Sequence, residues 1–253
     1  MRTSVIVSAA VAVLLFTAPS CNKDKDTGRL HARMMDSPIA GNVEEVNIDI
    51  QGAEAHLAGA GWINLPVQNG VYNLLDFVNG VDTLFINSDI PAGKLTQFRL
   101  ILGAQNSIKV DNNLHSLRVP SGSQSGLKIN VNEEITDAAT TVLFLDFDAG
   151  RSIKQNGNGE YELHPVIRGF NATQTGAITG HYAAAAGSGV VVEAQNGNQF
   201  FTTYADRRTG HFMLRGLPPG SYTVRVYVPD VAAAVSVSVV NVTANALVDL
   251  GAL

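Results

Sequence analysis

The sequence predicts an all-β protein built as two β-sandwich domains, and three observations carry that expectation. Apolar and polar residues alternate with period two in many short runs, giving each run one buried and one solvated face. Gly, Asn, Asp and Ser cluster between the runs at the spacing of sandwich turns. Near residue 170 the composition shifts to small polar residues, after which a second alternating series begins.

Residues 21–32 are polar and charged, and they read as a flexible tether. Val46, Ile48 and Ile50 then alternate with Asn47 and Asp49, and Ile63 and Leu65 repeat the pattern beside Trp62 and Asn64. Residues 72–77 and 135–139 suggest short helical turns, and residues 95–102 a further strand. Asp111-Asn112-Asn113 has the composition of a hairpin turn between strands at 107–110 and 114–119. Leu127, Ile129 and Val131 alternate with Lys128 and Asn130; residues 141–148 and 161–167 complete a first domain over 33–170. The second domain, 171–253, opens after Asn171-Ala172-Thr173-Gln174-Thr175. Its strands are expected at 176–180, 190–194, 200–204, 211–214, 221–228 and 235–242. Residues 216–220 form a rigid corner, where Pro218 and Pro219 fix φ and the flanking glycines permit positive φ.

The N-terminus reads as an export signal. Arg2 precedes an apolar run over 5–16, followed by Thr17-Ala18-Pro19-Ser20 and then Cys21, the sole cysteine. A run of about a dozen residues suits a signal-peptide core and is short of the ~20 that a spanning helix needs. Residues 1–20 are therefore expected to be a lipoprotein signal peptide and Cys21 the lipidation site, with the chain anchored to a membrane by acyl chains. Ala18 and Pro19 depart from the usual residues before such a cysteine. With one thiol no internal disulfide can form, so burial and hydrogen bonding must hold the fold. The formal charge is −5 and becomes −6 once Arg2 is removed. Mild acidity without a Lys/Arg cluster argues against a nucleic-acid partner.

Two families are resembled. The first region is similar to the lipoprotein domain of unknown function 4382. The similarity rests on Asn47-Ile48-Asp49-Ile50-Gln51-Gly52, Tyr72-Asn73-Leu74-Leu75-Asp76, Pro91-Ala92-Gly93-Lys94 with Arg99-Leu100, the segment from Pro120 to Lys128, Asp146-Phe147-Asp148-Ala149-Gly150-Arg151-Ser152-Ile153, and His164-Pro165-Val166-Ile167. It implies a lipid-anchored envelope protein of a Gram-negative, Bacteroidota-like cell, at the outer membrane or cell surface, and brings no agreed activity. Lys23-Asp24-Lys25-Asp26 resembles the charged signal that sends some such lipoproteins to the surface. The second region resembles a carboxypeptidase regulatory-like domain, a transthyretin-type sandwich, through Gly176-Ala177-Ile178-Thr179-Gly180 and the run from Gly210 to Val224. That resemblance implies an accessory module whose fold is grouped with carbohydrate-binding sandwiches.

No catalytic or metal-binding constellation emerges. The six histidines (His31, His56, His115, His164, His181, His211) show no zinc-ligand spacing. Asp146 and Asp148 lie two apart, hence on one strand face. They are candidates for Ca²⁺, weighed against a solvated face or turn contacts with Arg151. Ser121, Ser123 and Ser125 sit in a Gly/Ser loop with no histidine near in sequence. Trp62 is a candidate sugar platform, with core packing the favoured alternative. The expectation is a non-catalytic envelope lipoprotein without cofactor that binds carbohydrate or an extracellular partner. A scaffold binding another protein is one alternative, and a hydrolase or its accessory domain another. Residues 121–126 and 206–210 are the loops expected to contact a ligand.

Overall fold

The computed structural model describes residues 26–253 except 38, 40–41, 121–125, 183–188, 207, 229–230 and 232. It is 66% strand and 4% helix, the all-β class that the alternation predicts.

The first strands are β1 (Thr27–Ser37), β2 (Val43–Leu57), β3 (Gly61–Leu65) and β4 (Gly70–Asn73), followed by a 3-10 turn (Leu74–Phe77). Next come β5 (Thr83–Pro91), β6 (Gly93–Leu102), β7 (Ser107–Val110), β8 (Asn113–Arg118), β9 (Leu127–Ile135) and β10 (Thr140–Asp148). A single helical turn, α1 (Ala149–Ser152), leads into β11 (Ile153–Gln155), β12 (Tyr161–Leu163) and β13 (Ile167–Asn171). One sheet has the order β13-β10-β1-β5, and the other β11-β12-β8-β7-β2-β6-β9, with β3 and β4 also paired to β2. Both sheets contribute to one core, in which Leu30, Met34, Ile48, Ile50, Phe98 and Phe147 are fully buried. Along β2 the buried apolar positions step 46, 48, 50 and then 53, 55, 57. The irregularity between Ile50 and Gly52 resets the alternation, as a bulge does.

A second core holds β14 (Gly176–His181), β15 (Val191–Asn196), β16 (Gln199–Tyr204), β17 (His211–Leu217), β18 (Gly220–Tyr227), β19 (Ser236–Val242) and β20 (Leu247–Ala252). Its sheets run β17-β14-β20 and β16-β15-β18-β19. Ile178, Val192, Phe212, Val226 and Tyr222 are fully buried there, and the Tyr222 hydroxyl donates to Pro218 O at 2.7 Å, so its own O–H is satisfied.

Several expectations change. Residues 27–32 are not tether but the first half of β1, with Leu30 and Ala32 fully buried. Leu30, Ala32 and Met34 do alternate with Arg29, His31 and Arg33, but charged residues on the outer face disguise a strand as a polar stretch. The 72–77 segment is helical only over Leu74–Phe77, where the Asn73 side chain accepts from Leu75 N–H. Residues 135–139 are not helical: Ile135 ends β9 and a turn with Ala138 at φ 53° follows. The strand expected over 161–167 splits into β12 and β13 around Pro165, which has no N–H to give to a ladder. The 111–113 hairpin forms as expected, with Asp111 and Asn112 both at positive φ, the turn geometry that suits twisted strands.

The polar stretch 171–175 is pinned by its own side chains. Asn171 Nδ2 and Gln174 Nε2 both donate to the buried Glu133 carboxylate, at 2.7 and 3.1 Å, and Thr175 Oγ1 donates to Asn171 O at 3.0 Å.

Candidate functional site

Where the two cores meet, Phe144 and Phe170 stack with centroids 5.4 Å apart and their planes 13° from parallel. Arg215, from β17, lies over Phe144 at 4.4 Å, and Arg168, from β13, lies between Phe170 and Phe201 at 5.2 and 4.7 Å. Gly216 has φ 68°, and a Cβ there would come within 2.5 Å of Phe170, so both conformation and space require glycine.

Two arginines bridge the junction in opposite directions. Arg168 donates from Nη2 to Asp146 at 2.5 Å on its own sandwich, and reaches across to Gly216 O at 2.8 Å and Arg215 O at 3.2 Å. Arg215 reaches back, donating to Asp82 at 2.8 Å and Gly80 O at 3.1 Å. Asp82 also pairs with Arg33, and Thr203 Oγ1 donates to Asn79 Oδ1 at 3.1 Å. A Cβ at Gly80 would collide with Met213 Sδ, so the turn at 79–82 fits closely against the second sandwich.

Beside this clasp lies a cleft of about 220 Å³ with one wall from each sandwich. The parallel register of β1 with β10 sets Met35 beside Asp146 and Ser37 beside Asp148, so these side chains share the cleft face. Asp146 is buried, and besides Arg168 it accepts from Ser37 Oγ at 3.2 Å. Burial pushes its carboxyl above the ordinary value, against the opposing pull of Arg168. Asp148 caps α1, accepting from Arg151 N–H at 2.9 Å and Arg151 Nε at 2.6 Å. Opposite them β16 supplies Phe200, 55% exposed, with Thr202 and Thr203.

Asp36 pairs in register with Phe147 and so turns the other way, beneath the cleft floor. Its Oδ1 accepts from Ala149 N–H at 3.1 Å, while Oδ2 is buried with no donor. Burial drives its carboxyl well above the ordinary range, helped by the nearby Asp146 and Asp148 charges.

Asp146 and Asp148 thus share a face as the sequence implied, but each is committed to its own arginine. Among the described residues no three His, Cys, Asp or Glu side chains converge as a metal site. Trp62 is not the core residue that was the favoured expectation. It lies partly exposed on the outer face of the larger sheet, with the Arg99 guanidinium 3.8 Å above its ring and His56 against it at 5.1 Å. The core expectation fails because Trp62 opposes His56 across β2–β3, on the side facing away from Ala55 and Leu57. Among the described residues of 206–210, Asp206 Oδ1 accepts from Arg208 N–H, Thr209 N–H and Thr209 Oγ1. Cys21 and Ser121, Ser123 and Ser125 lie outside the described residues. Sequence reading missed Phe200, Arg168 and Arg215 as cleft residues; the one signal was the adjacent pair Phe200-Phe201 on an otherwise polar strand.

These features define an all-β protein of two clasped sandwiches with a charged, aromatic-edged cleft between them. The chain belongs to the family described as Domain of unknown function (DUF4382), whose sequence model matches residues 27–165. Residues 174–250 match a second family, Polysaccharide lyase family 4, domain II. No curated protein sequence matches the chain. Among solved structures, the Bacillus anthracis TIE protein is similar at 9% identity and a TM-score of 0.26, over 89% of this chain and 34% of that one. A leucine-rich repeat protein from Bacteroides thetaiotaomicron is similar at 11% identity and TM-score 0.19, over 90% of this chain and 26% of that one. BcpA, the major pilin subunit of Bacillus cereus, is similar at 10% identity and TM-score 0.23, over 89% of this chain and 69% of that one. The chain thus spans about a third or less of the first two proteins' lengths.

Proposed function

We propose that the protein is a non-catalytic, lipid-anchored module of a bacterial cell envelope that binds a carbohydrate polymer in the cleft between its sandwiches. The observation that carries this reading is Phe200, a large exposed ring lining the same cleft as the fixed arginine–carboxylate pairs. A sugar offers an apolar C–H face and a fringe of hydroxyls. An exposed ring suits the first, and oriented guanidinium and carboxylate groups suit the second. The description of the matched second-region family, which includes a polysaccharide lyase, supports a carbohydrate ligand. We assign that region to the carboxypeptidase regulatory-like type of sandwich, an accessory module, which agrees with binding in the absence of turnover.

A glycan array probed with the full chain tests this directly. A polymer that binds the wild type should bind Phe200→Ala at least tenfold more weakly, about 1.4 kcal/mol, with no turnover of the bound polymer. The ring is too exposed for its loss to disturb the core. Equal binding by the variant would exclude the cleft.

The anchor is tested separately. In this proposal attachment is through Cys21; no helix among the described residues is long and apolar enough to cross a membrane. Cys21→Ala should shift the protein from the membrane to the soluble fraction on cell fractionation. Retention at wild-type level would refute the anchor.

A further inference from the structure

We propose that β19 is a self-pairing edge, through which two copies of this chain join antiparallel into one continuous eight-stranded sheet. An edge strand presents free N–H and C=O groups, and proteins blunt such edges with charge, proline, shortness or cover.

Four edge strands here reach seven residues. β5 carries Asp89 and Pro91, β9 carries Lys128, Glu133 and Glu134, and β17 carries His211 and Arg215. β19, Ser-Val-Ser-Val-Val-Asn-Val, carries neither charge nor proline. It closes the sheet β16-β15-β18-β19 on the side away from β16, and β16 is the strand that meets the first sandwich through Thr203 and Phe201. Among the described residues the edge is therefore left open by the fold, and its sequence does not guard it. Val239 at its centre is 72% exposed, and Val235 just before it is 45% exposed.

The occupant follows from symmetry and charge. In an antiparallel pairing of β19 with itself, centred on Val239, Ser238 meets Val240 and the two Val239 side chains meet each other. Opposed β-branched residues are favourable cross-strand pairs, and no like charges oppose one another. A twofold contact of this kind closes on itself as a dimer. Residues 171–253 contain four arginines against three aspartates and one glutamate, so this region is formally neutral while the acidic charge of the protein lies elsewhere. Two copies meeting at β19 thus approach through neutral halves, without the repulsion that the whole net charge would give.

Sedimentation equilibrium of the full chain over a concentration series, with variants at position 239, tests the pairing. The wild type should show a reversible monomer–dimer equilibrium. Val239→Lys and Val239→Glu each place like charges face to face across the twofold, and each should weaken the dimer at least tenfold. An equimolar mixture of the two variants should restore it, because Lys then faces Glu. A wild type monomeric at every concentration would overturn the proposal. So would a dimer indifferent to both variants, failure of the mixture to recover, or assembly growing past the dimer.

Discussion

Replacing Arg168 with alanine is expected to lower stability by about 2–3 kcal/mol in urea unfolding. Truncating one partner of a buried pair costs about 3–5 kcal/mol, reduced here because Arg168 is itself 37% exposed. The loss has two origins. Asp146, 6% exposed at its side chain, is left without its counter-ion. Gly216 O and Arg215 O lose the donors that tie the second sandwich to the first. The origins separate experimentally. Asp146→Asn in the Arg168→Ala background removes the stranded charge, so it should recover part of the stability while leaving the junction loosened. Arg168→Lys keeps a charge near Asp146 but not the planar fork that reaches three acceptors, and should fall between. If the double variant were no more stable than Arg168→Ala, the stranded charge would not be the cause.

The second large effect is a gain. Asp36→Asn is expected to stabilise the protein by about 1 kcal/mol or more above neutral pH, because it removes the cost of ionising a buried carboxyl that has no counter-ion. The folded Asp36 carboxyl holds its proton to a higher pH than the unfolded one, because burial penalises the charge and Oδ2 has no donor. Between the unfolded value and the raised folded value the native state binds more protons, so stability falls as pH rises through that window. Asp146, also raised by burial, adds to the same slope. Asn keeps an oxygen for Ala149 N–H and cannot ionise. Unfolding at about pH 5 and about pH 9 should therefore show a flatter dependence for the variant than for the wild type. A parallel dependence in both would place the titrating group elsewhere.

The sequence reveals this fold wherever one sheet face meets water and hides it wherever that rule fails. β6, β9 and the β7–β8 hairpin were legible because alternation and turn residues agree there. β5 was missed: Asp89 and the terminal Pro91 make an edge strand look like loop, although Ile86 and Ile90 are buried. β20, six residues ending around Gly251 at φ 65°, leaves too short a pattern to read. The cleft was less legible still. Asp146 and Asp148 could be placed on one face by spacing alone, but Arg168 and Arg215 lie 22 and 69 residues beyond Asp146. What brings them together is the docking of two separate cores, which no local period records. Trp62 shows the same limit: between Gly61 and Ile63 its environment depends on which way β3 faces, and that depends on β2.

The placement of β1 also sets how the molecule would bear a load. This first strand of the described chain is an interior one. Nine of its residues are in parallel register with β10, and it is flanked on the other side by β5 in antiparallel register. A pull applied ahead of Thr27 runs along the strand axis, so the hydrogen bonds of both ladders are sheared together. They are not peeled one at a time, as they would be from an edge strand. Tension entering from the N-terminal side thus meets the most resistant geometry that the sheet has to offer. From β1 a path of paired charges runs through Arg33 and Asp82 to Arg215, giving the second sandwich a link to β1 in parallel with the covalent 171–175 connection.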